Sequence, residues 1–205
     1  MKKTVLLALQ LCLLAYGCKP KPDGKRVSLS KGNISLILPD SSLIYSKPTL
    51  WPADYQLGSY GEDGAFYHKP DSSVIVSIYV QVYPNPEQRK LKWQILADEK
   101  RRRGDLLAKN RNLAVIERFK ADSIARTIII DYHIPKRPEK GRQSQASYER
   151  DFTFYGPQRT IHFWFFGPDN AAYRQAVATA CASVRVNPTY LQASVKPYPE
   201  REYQD

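Results

Sequence analysis

The sequence predicts an α+β domain: a three-layer α/β/α sandwich around a central, mainly antiparallel sheet. Three observations carry this. Strand-like runs follow one another through short links instead of alternating with helices. Two of those runs, "TIIIDYHI" and "TIHFWFFG", are apolar on both alternations, so both faces of their sheet have to be covered. Two helical segments, one mid-chain and one near the end, are available to cover them.

The chain opens on Met1-Lys2-Lys3, an apolar run from Val5 to Leu14, and then Gly17-Cys18. A basic segment, a short apolar core and a small residue are the order of a secretory signal peptide, here residues 1–17. The run is too short to span a bilayer, which takes roughly 20 apolar residues. Leu14-Ala15-Tyr16-Gly17-Cys18 resembles the lipobox of bacterial lipoproteins. That resemblance implies a diacylglycerol on the Cys18 thiol and cleavage just before it, often followed by acylation of the freed amine. Gly17 fits the small residue before the cut, while Ala15 stands where the family prefers Leu. Two or three acyl chains anchor a protein stably where one is marginal. Lys19 replaces the Asp that marks inner-membrane retention in some bacteria, which favours an exported protein held at the outer membrane and facing the periplasm.

Of three cysteines, Cys12 leaves with the signal, Cys18 takes lipid and Cys181 stays alone, so no internal disulfide is expected. The chain from Cys18 onward holds about 160 residues once tether and tail are set aside, enough for one domain with a substantial core. Lys2 and Lys3 account for two of the +11 charges, so the mature chain remains strongly basic. A basic excess suits anionic lipid, an acidic partner or nucleic acid. Export ranks nucleic acid last of these, so the expected partner is an envelope protein or an anionic surface and no nucleic acid.

Residues 18–26 form a lipidated cysteine and a polar, Pro-containing tether, "KPKPDGKR". The domain, residues 27–187, begins with "VSLSKGNISLIL": a strand, a turn at Lys31-Gly32-Asn33 and a second strand. Residues 45–64 mix Pro, Gly and aromatics and predict a loop with one short strand. Val74, Val76, Ile78, Val80 and Val82 alternate cleanly as a strand. Asn85 as N-cap, Pro86 and Gln88 then announce a helix. Its apolar stripe is Leu91, Ile95, Leu96, Leu106 and Leu107, weakened at Gly104, and its other face carries Lys100 to Arg103. "LAVIERF" and "SIARTIIIDYHI" predict two strands linked near Ala121-Asp122, followed by the basic loop "PKRPEKGRQSQA". "SYERDFTFY" and "TIHFWFFG" pair antiparallel through Gly156-Pro157-Gln158. A last helix runs from about Asn170 to Val184, with Ala172, Ala176 and Ala180 in a row that allows close approach to a sheet. Residues 188–205 predict a loose tail.

The opening "GNISLILPDSS", the central helix and the closing "AAYRQAVATACASVRVNP" resemble the PsbP-like superfamily in element order. The resemblance spans residues 27 to 187 and implies an α/β/α sandwich with a non-enzymatic docking or accessory role.

The sequence contains no G-x-S-x-G, H-E-x-x-H, G-x-x-x-x-G-K-[ST] or C-x-x-C motif and no EF-hand loop. Ser28-Leu29-Ser30-Lys31 spells S-x-x-K, but on a hairpin and without a K-T-G partner. If their strands are neighbours, Asp131, His133 and His162 converge as a metal or acid–base site needs; the plainer reading makes them hydrogen-bonded strand residues. Trp51, Arg101, Arg102, Arg103, Lys136, Arg137, Lys140 and Arg142 are the candidate binding surface. Cys181 reads as helix packing with no positive neighbour to lower its pKa. The sequence therefore predicts a lipid-anchored, non-enzymatic envelope protein without a cofactor. A small hydrolase or metal-binding enzyme at Asp131/His133/His162 and a lipid or glycan carrier are the alternatives.

Overall fold

The structure, a computed structural model, describes residues 24–46, 52–54, 59–68, 74–82, 93–110, 114–136, 138–139, 142–143 and 146–194. Strands β1 (Arg26–Leu29) and β2 (Ile34–Ile37) form the opening hairpin through a 3-10 turn at Ser30–Gly32. There follow β3 (Ile44–Ser46), β4 (Pro52–Asp54), β5 (Ser59–His68) and β6 (Ile75–Val82). Helix α1 (Trp93–Asn110) leads to β7 (Val115–Asp122) and β8 (Thr127–Ile134). The basic loop holds a two-residue pair, β9 (Pro138–Glu139) and β10 (Arg142–Gln143). Strands β11 (Ser147–Tyr155) and β12 (Arg159–Pro168), helix α2 (Ala171–Ser183), β13 (Arg185–Val186) and the short α3 (Pro188–Gln192) complete the described chain.

The main sheet is antiparallel, in the order β3-β5-β6-β12-β11-β8-β7, with β4 added beside β5. A smaller antiparallel sheet, β1-β2-β13, stands apart. One face of the main sheet carries Val76, Ile78 and Val80 of β6 opposite Phe165, Phe163 and Ile161 of β12. Helix α2 and the small sheet close over that face, with Ile34, Leu36, Tyr173 and Val177 in the same core. Helix α1 covers the other face over β7 and β8, on Ile128, Ile130 and Tyr132. The mixed α/β, antiparallel architecture is thus as expected, with the hairpin joining α2 in the outer layer.

Helix α2 starts where Asn170 caps it, its side chain accepting from the Tyr173 N–H at 2.8 Å. Its end is stapled to β2: the Ser183 hydroxyl accepts from the Ile37 N–H and donates to the Ala180 carbonyl, both at 2.7 Å. The buried seam is Tyr173, Val177, Ala180 and Ser183, not the alanine row, because Ala172 is exposed and Ala176 only half-buried.

The central helix departs further from expectation. Its predicted cap at Asn85 lies outside the described residues. Its sheet-facing side is Ala97 and Gly104 with Trp93 and Leu96, so Ile95 and Leu106 point to solvent. Lys100 turns inward instead, to Asp151. Residues 188–192, expected in a loose tail, form α3 on β12, where the Arg159 guanidinium donates to the Tyr190 and Ala193 carbonyls.

Candidate functional site

The register of β8 on β11 sets Asp131 directly opposite Arg150, on the face under α2. The guanidinium engages both carboxylate oxygens, at 2.6 and 2.8 Å, and both side chains are buried. Such a pair persists only because both ends of the fork are satisfied; either ion alone in this place costs several kcal/mol. Tyr148, next on the same face of β11, hydrogen-bonds Asp131, and burial holds its hydroxyl well above the usual tyrosine range. Arg150 also reaches Cys181 on α2, so a positive neighbour does exist, contrary to the sequence reading. Burial still dominates and pushes the Cys181 thiol up to about 11, so it is held as thiol and not as a reactive thiolate.

A second chain of charges lies beside the first. His133 Nδ1 and Asp169 Oδ2 are 2.5 Å apart, and the other Asp169 oxygen accepts from Arg174 Nε at 2.5 Å. Arg174 continues to Glu117 on β7 at 2.6 and 3.2 Å and lies over the Tyr148 ring, 4.4 Å from its centroid. Arg174 first, with His133 in support, holds the Asp169 carboxyl below the usual carboxylate range.

His162 lies on the opposite face. It pairs in register with Thr153, while Asp131 and His133 pair with Arg150 and Tyr148. Side chains alternate along a strand, so these two sets point to opposite sides of the sheet. The expected convergence of Asp131, His133 and His162 therefore does not form. Among the described residues, no group of three His, Cys, Asp or Glu side chains could hold a metal ion. On its own face, Thr153 donates to Asp151 at 2.8 Å and sits 3.2 Å from His162 Nδ1. Lys100 of α1 meets Asp151 at 2.5 Å. Burial pushes the Asp151 carboxyl up, but Lys100, His162 and Thr153 together outweigh it and leave it lowered. Farther along, Trp164 donates to Glu149 at 3.2 Å and stacks on Phe166.

The predicted basic surface is not a single patch. Arg101 is exposed and lies over the Phe119 ring at 5.4 Å, and Arg102 makes a two-pronged pair with Glu99 at 2.9 and 3.0 Å. Arg103 belongs to α1, and its side chain is not among those described. Lys136 is exposed beyond β8, and Arg142 lies in β10 opposite Glu139. Cys18, Trp51, Arg137 and Lys140 lie outside the described residues. A cleft of about 450 Å³ opens between the end of β2 and α2, lined by Ile37, Leu38, Asp40, Ala172, Ala176 and Thr179.

The sequence reading missed Arg150, Asp151, Asp169 and Arg174, and set Lys100 on the outer face of its helix instead of against Asp151. One signal was present: Glu149-Arg150-Asp151 puts three charges inside a strand predicted to be covered on both faces, and buried charges demand partners. Which partners they take depends on register between distant strands, which no local pattern reports.

No protein-family model and no curated protein matches this chain. Its fold is similar to the solution structure of cyanobacterial PsbP (CyanoP) from Synechocystis sp. PCC 6803, with a TM-score of 0.49 and 9% identity, covering 83% of this chain and 96% of that one.

Proposed function

We propose that this chain is a lipid-anchored bacterial envelope protein with a non-enzymatic binding or accessory role, exported and held on the membrane through Cys18. The observation that supports this reading best is how the ionisable groups are used. Asp131–Arg150 ties β8 to β11, Glu117–Arg174–Asp169–His133 ties β7 and β8 to α2, and Lys100–Asp151 links α1 to the sheet. Groups that would otherwise be candidates for proton transfer serve as fasteners of a stiff platform. Strong positive charge on a chain that leaves the cytoplasm suits an acidic partner surface or anionic headgroups.

The test is purification from native membranes in mild detergent, with mass spectrometry of everything retained. A stoichiometric protein companion, lost in Cys18→Ala, is the expected result. A chain that arrives alone, or with only a small molecule, would overturn the accessory role. A second reading, a carrier of a small lipid or glycan, draws on the cleft beside α2, whose volume falls in the range of ligand pockets. Retention of one small molecule, lost in Ala176→Trp, is what it predicts.

A further inference from the structure

Helix α1 shows solvent a stripe that ordinary amphipathic logic does not ask for. Its inner side rests on the sheet through Ala97 and Gly104, yet Ile95 and Leu106 stand about half exposed on the outer side, at 49% and 44%. At 3.6 residues per turn, Ile95, Glu99, Arg102 and Leu106 fall within about a 60° arc, directly opposite the buried side. The order along the stripe is apolar, acidic, basic, apolar. Its two halves are spaced symmetrically about the point between Lys100 and Arg101.

That pattern is self-complementary. A second copy of α1 laid antiparallel, with a two-fold axis through that midpoint, sets Ile95 against the partner's Leu106 and Glu99 against the partner's Arg102. Each contact occurs twice, as an isologous interface requires. We infer that the outer stripe of α1, Ile95–Glu99–Arg102–Leu106, is a docking surface for a second copy of this chain, joined antiparallel about a two-fold axis. Charge complementarity under that symmetry selects this occupant. Glu99 and Arg102 pair within one helix at 2.9 Å, and under the two-fold each of them also faces its opposite charge on the second copy. The exposed apolar residues at both ends gain burial only in the paired state.

One helix pair buries less than the roughly 1,200 Å² of a standard interface, so the contact is weak in free solution. It fills where copies are crowded, as they are on a membrane, and that last clause alone rests on the anchor proposed above.

The experiment is sedimentation of residues 18–205 carrying Cys18→Ala, across a concentration series to about 1 mM, with Glu99→Arg and Arg102→Glu variants. The wild-type sequence is expected to form a reversible dimer. Each charge variant faces like charge across the axis and is expected to associate at least about tenfold more weakly. Mixed together, the two variants restore both attractive pairs, so the mixture associates where neither variant does alone. Because Ile95, Arg102 and Leu106 are exposed and Glu99 is half-exposed, unchanged circular dichroism separates lost docking from lost folding. A wild-type chain that stays monomeric throughout, or variants that dimerise like wild type, would overturn the inference. So would a mixture that fails to rescue.

Discussion

At the residue scale, charge placement is the organising fact. Asp131, Arg150 and Asp151 sit inside strands covered on both faces of the sheet, and each is met by a counter-charge from another element or strand. The sequence shows that these residues are anomalous for a covered sheet but cannot pair them. Asp131 and His133 look like a catalytic couple two residues apart, yet they serve two different networks, one through Arg150 and one through Asp169. His162 looks equally available and is on the far face. A pH prediction follows from the carboxylates. Asp169 and Asp151 both have lowered pKa values in the fold, Asp169 chiefly through Arg174, and Asp151 because Lys100, His162 and Thr153 overcome its burial. Such groups stabilise the fold fully above the unfolded carboxyl pKa of about 3.9, and that stability is lost as pH falls through and below it. A thermal-unfolding midpoint measured against pH should hold from neutral to about pH 5 and drop below about pH 4. In an Asp169→Asn, Asp151→Asn double variant it should start lower and drop less steeply. Equal acid slopes for the two proteins would show that these carboxylates do not carry the effect.

At the element scale, most helices and strands were legible, because their periods differ and β6 alternates strictly, whereas residues 45–64, expected as a loop with one short strand, hold the end of β3, all of β4 and the start of β5. The clean strand at 75–82, the hairpin at 26–37 and the β11–β12 pair are where the sequence puts them. Orientation was less legible. Ile95 and Leu106 read as a buried stripe, but the helix turns Gly104 inward, where an added methyl would lie 2.9 Å from the Tyr132 hydroxyl. The glycine that weakens the helix is what lets it approach β8 closely. The same logic holds more severely at Gly167 on β12. There a methyl would lie within 2.4 to 2.9 Å of the Tyr173 ring, which is also tied by its hydroxyl to the Phe166 carbonyl at 2.8 Å. Gly167→Ala is predicted to destabilise the protein by about 1–3 kcal/mol through overpacking and displacement of α2. Chemical denaturation measures it, and a variant within about 0.5 kcal/mol of wild type would show that Tyr173 moves freely.

At the scale of the whole molecule, the fold leaves an edge and an excess of charge to manage. Strand β7 ends the main sheet, and its Glu117, Arg118 and Lys120 put charge along that edge, a common guard against unwanted strand pairing. Several arginines of the basic excess lie over aromatic rings: Arg126 over Trp93, Arg101 over Phe119, Arg159 over Tyr190. Part of the positive charge thus contributes to packing as well as to partner attraction. Fold class was legible because it follows from element order and from strands apolar on both alternations. A site was not, because its residues meet only through the register of strands and the seating of helices far apart in sequence.

The proposed role depends first on where the mature chain begins. The most direct measurement is the intact mass of the protein from membranes of the expressing bacterium, with the N-terminal peptide sequenced after delipidation. A chain starting at Cys18 and heavier by a diacylglycerol with or without a further acyl group, and a Cys18→Ala form that leaves the membrane fraction, are the results predicted. An unmodified Cys18, or a chain that still begins at Met1, would contradict it.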